Sequence, residues 1–100
     1  MAKTYTWKIN EPEIDSESGE ETGKVTEHTV TLKCSMLTGK AIITIDGDEF
    51  NISTKPFGLR GTNQMFRLGD MPAMLDFPKS GEPDIVIDNV YVRTGKPYGA

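Results

Sequence analysis

The feature that most constrains this chain is an Asp-Gly pair, Asp46-Gly47, between two runs of alternating apolar residues. Both central residues of a type I′ turn need a positive φ, and Asp-Gly adopts it at low cost, so the pair predicts a tight β-hairpin. In that register Ile43 faces Phe50 and Ala41 faces Ile52. Because the apolar residues then share one side of both strands, the turn chemistry and the hydrophobic pattern predict the same hairpin.

Other short alternating runs extend this pattern along the chain. Tyr5, Trp7 and Ile9 share one face of the first run, and Asp88-Asn89 predicts a second tight turn within residues 84–94. Thr, Ile and Val recur in the runs, and these residues fit a pleated, half-buried surface. The runs number about seven or eight, with turn signals at even spacing. They predict an all-β, antiparallel fold, either a β-sandwich or a closed barrel.

The length of 100 residues predicts a single β domain over residues 1–100. Residues 11–24 carry six acids and few apolar side chains, so they bury little area against the entropy of ordering them. We expect this segment to be a mobile acidic surface loop or a long hairpin connection. The tail at residues 95–100 is expected to fray.

The net negative charge of the chain limits the classes of partner that we expect it to bind. A net charge of −4 and a pI near 4.9 argue against nucleic acid and against anionic membranes, because both need clustered Lys and Arg. No apolar run approaches the roughly 20 residues that span a bilayer, and no signal peptide is visible at the first residues. The expected location is therefore the cytoplasm.

Catalytic and metal-binding constellations are missing from the sequence. The chain has one His, His28, and one Cys, Cys34, which lie about 20 Å apart if both belong to one straight strand. We expect His28 to be a strand-end side chain and Cys34 a small core residue. Zinc needs about four ligands, and the acids near Asp46 lack the EF-hand spacing. The sequence predicts no enzyme, no metal and no cofactor.

Residues 51–69 form a segment with a positive bias. They contain no acid, and they hold Lys55, Arg60 and Arg67 together with aromatic residues that include Phe57. Cations beside aromatic rings are typical of contacts with anionic partners. Lys55, Phe57, Arg60 and Arg67 are therefore the candidate binding residues for an acidic partner. The alternative is that these cations pair with the acidic segment 11–21 of the same chain.

Several short motifs occur in an order that is shared with a known family. They are Trp7, His28-Thr29-Val30-Thr31-Leu32, Thr38-Gly39-Lys40, Ile43-Thr44-Ile45-Asp46-Gly47, Phe66-Arg67-Leu68-Gly69 and Ile85-Val86-Ile87-Asp88-Asn89. Over nearly its whole length the chain resembles one domain of the Fas apoptotic inhibitory molecule family. The resemblance implies a sandwich-like all-β domain with a role in protein interaction during cell-survival signalling, and it implies no catalytic residues.

Two functions follow as hypotheses from these patterns. The first is a non-enzymatic interaction module that offers a sheet face or an edge strand to a partner protein or to a second copy in a homodimer. The alternative is a carbohydrate-binding β-sandwich module, which needs aromatic platforms beside polar side chains. The candidates for that platform are Trp7, Tyr5, Tyr91 and Tyr98, with Asn51 or Asn63.

Overall fold

The computed structural model describes residues 2–35, 40–52, 61–78 and 81–99, and the regular structure of these residues is all strand. The strands are β1 (Ala2–Ile14), β2 (Glu21–Ser35), β3 (Ala41–Ile45), β4 (Asp48–Asn51), β5 (Thr62–Leu68), β6 (Met71–Phe77), β7 (Asp84–Ile87) and β8 (Val90–Tyr91). No helix in the described residues is long and apolar enough to cross a membrane.

The eight strands form two antiparallel sheets. The N-terminal sheet has the order β1-β2-β3-β4, and the C-terminal sheet has the order β5-β6-β7-β8. Within each sheet every strand pairs with the strands next to it in sequence, because short turns favour such meanders. The all-β prediction is confirmed, and of its two alternatives the structure has the sandwich, since the described strands form two separate sheets.

Both predicted tight turns are present with the backbone geometry that their residues favour. Asp46 and Gly47 have φ angles of 50° and 92°, and Asp88 and Asn89 have 52° and 63°. Positive φ at both central positions is the signature of the type I′ turn, whose twist matches that of the flanking strands. The predicted register is confirmed as well, since Ile43 pairs with Phe50.

One core lies between the inner faces of the two sheets. The N-terminal sheet contributes the buried side chains of Trp7, Ile9, Val30, Leu32, Ala41 and Ile43, and the C-terminal sheet contributes those of Leu68, Ala73, Leu75, Phe77 and Ile85. These residues alternate along their strands, so period-two patterning places them on one face. Phe50 shares that face but is 52% exposed, because it lies on the short edge strand β4.

The predicted acidic loop is shorter than expected. β1 runs to Ile14 and β2 begins at Glu21, so most of residues 11–24 lies in the two strands of a hairpin, which are joined by residues 15–20. The turn is closed by hydrogen bonds from the Asp15 N–H to the Glu20 carbonyl and from the Gly19 N–H to the Asp15 carbonyl, both 2.8 Å. Paired strands are held by backbone hydrogen bonds, which do not require apolar side chains. The expectation of a loop rested on the lack of apolar side chains and did not consider these bonds. Residues 10–27 are called the arm below, and the mobility of this segment stays a prediction.

The C-terminal tail folds back onto β8. The Tyr98 N–H donates to the Asn89 carbonyl at 2.7 Å, the Tyr91 N–H donates to the Lys96 carbonyl at 2.9 Å, and Pro97 bridges to Val90. The prediction of a frayed tail at residues 95–100 did not anticipate these contacts, which hold residues 96–98 against the hairpin.

Candidate functional site

Apolar side chains form a row across the outer face of the C-terminal sheet. The inward residues of β5 and β6 fill the core, so Met65 and Met74 point outward, and their register continues the row through Val86 and Tyr91. Met65 on the edge strand is 69% exposed, Met74 is half-buried and Val86 is buried. The outer face of this sheet therefore has an apolar row whose edge is open to solvent.

The outer face of the N-terminal sheet has a different chemistry. Its equivalent row runs through Thr6, Thr31, Thr44 and Glu49 on four successive strands. All four side chains are polar and are exposed or half-buried. Polar residues outward and apolar residues inward are what an antiparallel sheet with one solvated face normally shows. The C-terminal sheet departs from this pattern, and its departure marks the candidate interaction site.

Of the four predicted binding residues, the structure places one. Arg67 lies on β5 two residues from Met65, on the same outer face and opposite Pro72. Its side chain is exposed and, within the described residues, forms no ion pair with the acidic arm. Lys55, Phe57 and Arg60 lie outside the described residues. The candidate site is therefore the surface of Met65, Arg67, Pro72 and Met74, which is called the outer patch below.

A second polar feature lies at the base of the arm, where His28 is held between two carboxylates. Its Nδ1 is 2.6 Å from Oδ2 of Asp46, and its Nε2 is 2.9 Å from Oε1 of Glu11. Each carboxylate also accepts a backbone hydrogen bond, from Thr29 N–H to Asp46 at 2.9 Å and from Asp70 N–H to Glu11 at 3.0 Å. His28 is buried within β2, so the prediction of a strand-end side chain is wrong.

The electrostatics of this cluster favour a charged imidazole. Hydrogen bonds to Asp46 and then to Glu11 raise the pKa of His28 above its ordinary value. The hydrogen bond with His28 is also the main cause that lowers the pKa of Glu11 and of Asp46. With both ring nitrogens donating, the imidazolium has no free position for acid-base catalysis. The cluster favours the protonated imidazole, and its three side chains join β1, β2 and the β3–β4 turn.

A glycine lies next to the His28 cluster, at the point where the Glu11 carboxylate approaches the C-terminal sheet. Gly69, in the turn between β5 and β6, has a φ of 64°. A Cβ atom added there would lie 3.1 Å from the Glu11 carboxyl carbon and 3.2 Å from Oε2, and would overlap Oε1. The turn therefore needs glycine for two reasons, the backbone angle and the approach of the Glu11 carboxylate.

A separate cluster surrounds the buried carboxylate of Asp84. Its Oδ1 accepts hydrogen bonds from Trp7 Nε1–H at 3.0 Å and from Ile85 N–H at 2.8 Å, and its Oδ2 accepts one from Arg93 N–H at 3.1 Å. Trp7 belongs to β1 and Asp84 to β7, so the bond between them joins the two sheets. These donors satisfy a carboxylate that would be costly to bury alone.

The aromatic residues proposed as platforms for a sugar are largely engaged in contacts with other side chains of the chain. Trp7 is only 4% exposed, and the Arg93 guanidinium carbon lies 5.4 Å from its ring centroid and 5.3 Å from that of Tyr5. The Tyr91 hydroxyl donates to Asp76 Oδ2 at 2.8 Å, which raises the pKa of Tyr91 to about 12. Tyr98 packs edge-on against Tyr91 at 5.8 Å. Trp7 is therefore excluded as a stacking platform.

Cys34 does not build a nucleophilic site with His28. It lies six residues further along β2, is partly buried against the core, and burial raises the pKa of its thiol. Reactive cysteines have a lowered pKa, so this thiol behaves as the small core residue that the sequence predicts.

In the described segments of the chain, no group of three or more His, Cys, Asp and Glu side chains could hold a metal ion. Comparisons with models of protein families, with curated proteins and with solved structures found no match.

Two parts of the site were missed by sequence reasoning, although signals for both exist. Glu11 continues the face of Trp7 and Ile9 on β1, and the register places Ile9 opposite His28. Met74 lies between the inward residues Ala73 and Leu75, so alternation alone directs it outward.

Proposed function

We propose that this chain is a non-enzymatic protein-interaction module, which receives an acidic partner on the outer patch of its C-terminal sheet. The observation that carries the proposal is the outward apolar row, in which Met65 is 69% exposed beside half-buried Met74. The matching row of the N-terminal sheet is polar, so the apolar row is a local property of one sheet. Exposed apolar patches with a polar rim are typical of interaction sites.

The residue types of the outer patch suit this role. Methionine side chains are flexible and polarisable, and they adapt to irregular partner surfaces. Arg67 supplies a planar donor for carboxylates at the rim of the apolar row. The four residues of the outer patch include this cation and no acid in a chain of net charge −4, so the patch favours an acidic partner.

The edge of the C-terminal sheet supports the same proposal. β5 is an outer strand of that sheet, and none of the described strands pairs with its free side. An extended segment of the partner can add to such an edge through backbone hydrogen bonds, while its side chains reach Met65 and Arg67. The sequence resemblance to the Fas apoptotic inhibitory molecule family implies the same class of function. The proposal includes a cytoplasmic location and excludes nucleic acid and membranes as partners.

Affinity capture from a lysate of the source cells tests the proposal by comparing three baits. The wild-type chain and a Thr6→Lys control, altered on the outer face of the N-terminal sheet, should capture the same acidic proteins in mass spectrometry. Met65→Lys and Arg67→Glu should each lose them, since both side chains are exposed and their replacement leaves the core intact. Equal capture by all baits contradicts the proposal.

A further inference from the structure

The arm of the molecule has the complementary chemistry to the outer patch. Residues 10–27 contain seven acids and one lysine, whereas the outer patch carries Arg67 and no acid. The arm also carries two exposed aliphatic side chains, Ile14 at 51% and Val25 at 61%. An acidic surface with exposed apolar residues is what the proposed function requires of a partner.

The arm is built as a projecting hairpin, so it can be presented to another molecule. Its strands continue the β1–β2 ladder through the Pro12–Val25 pair and, after a register shift, to the Ile14–Glu21 pair, and a turn at residues 15–20 closes it. Asp15 Oδ1 also accepts the Glu17 N–H at 2.7 Å, which orders the turn further. Beyond Pro12 every side chain of the arm is exposed, and the molecule measures 48 Å along its longest axis but 18 Å along its shortest.

The arm and the outer patch of one molecule belong to different sheets, and among the described residues no ion pair joins them. The arm is the direct continuation of the N-terminal sheet, and Glu11 at its base is fixed to the β5–β6 turn through the Asp70 N–H. The outer patch is on the face of the C-terminal sheet that points away from the N-terminal sheet. The complementary surfaces are therefore placed to meet between two molecules.

We infer that the acidic partner of the outer patch is the arm of a second copy of this chain, so that molecules associate head to tail. The inference rests on the proposed function, because it names the occupant of the same patch. Ile14 and Val25 of one copy cover Met65 and Met74 of the next, and acids of the arm face Arg67. Since the two contacting surfaces differ, each molecule keeps one free arm and one free patch.

Sedimentation of the purified full chain over a range from about 1 μM to about 1 mM tests the inference, since that range brackets weak to moderate affinities. The wild type should form species heavier than the 11.0 kDa monomer as concentration rises. Ile14→Lys and Met65→Lys should each weaken association about tenfold or more, as expected for a central apolar contact. The Thr6→Lys control should associate like the wild type. Far-ultraviolet circular dichroism confirms that each variant is folded.

Mixing the two weakened variants distinguishes a head-to-tail contact from a symmetric one. Ile14→Lys retains an intact outer patch and Met65→Lys retains an intact arm, so the mixture should form a dimer of twice 11.0 kDa that cannot extend. If the interface were symmetric, each variant would carry damage at it and the mixture would stay monomeric. A monomeric mixture therefore overturns the inference. High salt should also weaken association, since the Debye length falls to about 3 Å at 1 M.

The outcomes separate this inference from the proposed function. A wild type that stays monomeric at every concentration overturns the inference, and so does association that is insensitive to Ile14→Lys. If Met65→Lys nonetheless loses captured proteins, the proposed function stands with a different occupant. If association depends on Met65 but capture of other proteins does not, the outer patch serves self-association alone.

Discussion

The polar clusters around His28 and Asp84 join the same two sheets with different electrostatics. At the His28 cluster, one imidazole is held between Glu11 and Asp46, and Glu11 reaches the β5–β6 turn. At the Asp84 cluster, a carboxylate accepts hydrogen bonds from neutral N–H groups, which are the indole of Trp7 and the backbone amides of Ile85 and Arg93. At the first cluster the two carboxylates raise the pKa of the imidazole, so the contribution of this cluster to stability is expected to vary with pH. The second cluster contributes through the buried Trp7 ring and its hydrogen bond to Asp84.

The largest effect is expected from the Asp84 cluster. Trp7→Ala removes a buried ring and one donor to the Asp84 carboxylate, so we expect a loss of about 3–5 kcal/mol in the free energy of unfolding. Trp7→Phe retains most of the ring and removes the N–H, for which about 1–3 kcal/mol is expected. Urea unfolding followed by circular dichroism measures both. Equal losses for the two variants would show that packing contributes little beyond the hydrogen bond.

The sequence predicted the strands and turns well, because they depend on local rules. Asp46-Gly47 and Asp88-Asn89 determine their turns through backbone angles, and alternation identified inward residues such as Trp7 and Leu75. The clusters were missed because they join distant segments, 77 positions apart for Trp7 and Asp84. Contacts of that kind depend on how the two sheets pack against each other. The alternation of residues within one strand carries no information about that packing.

The next largest effect is expected at the contact of Gly69 with the His28 cluster. Gly69→Ala combines a left-handed backbone angle with overlap of Glu11, so we expect a loss of about 1–3 kcal/mol. Gly95→Ala is a matched control, because Gly95 has a φ of 73° and its added Cβ would meet nothing within 4 Å. Both variants are measured by urea unfolding.

A double-mutant cycle locates the cause of that difference. In a Glu11→Ala background the overlap is absent, so Gly69→Ala should cost no more than Gly95→Ala does. If the excess cost of Gly69→Ala persists in that background, the strain lies in the turn itself and the packing of Glu11 against it is irrelevant.

A smaller effect, confined to pH dependence, is expected from His28. Its folded-state pKa is raised, so its contribution to stability is complete below its ordinary pKa of 6.5 and is lost as pH rises through the folded value. The pKa values of Glu11 and Asp46 are lowered, so their contribution is lost as pH falls below about 4. Urea midpoints of the wild type should therefore fall above pH 6.5, and those of His28→Gln should change little there.

The Asp84 cluster provides the control for this pH dependence. Trp7→Phe lowers stability but leaves His28 in place, so its urea midpoints should keep the slope of the wild type. Because the chain has one histidine, a single imidazole signal in nuclear magnetic resonance gives the pKa directly. A value at or below 6.5 would contradict the doubly bonded imidazolium.

The smallest effect is expected at the solvent side of the Asp84 cluster, where Arg93 donates to Glu82 at 3.0 Å. Both side chains are substantially exposed, so Glu82→Gln should change the free energy of unfolding by no more than about 0.5 kcal/mol. Arg93→Ala also removes the guanidinium from the rings of Tyr5 and Trp7, for which about 1 kcal/mol is expected. Urea unfolding at low and high salt measures both variants. A Glu82→Gln loss that equals that of Arg93→Ala would mean that the ion pair positions Arg93 over the rings, and the Asp84 cluster would then depend on charge as the His28 cluster does.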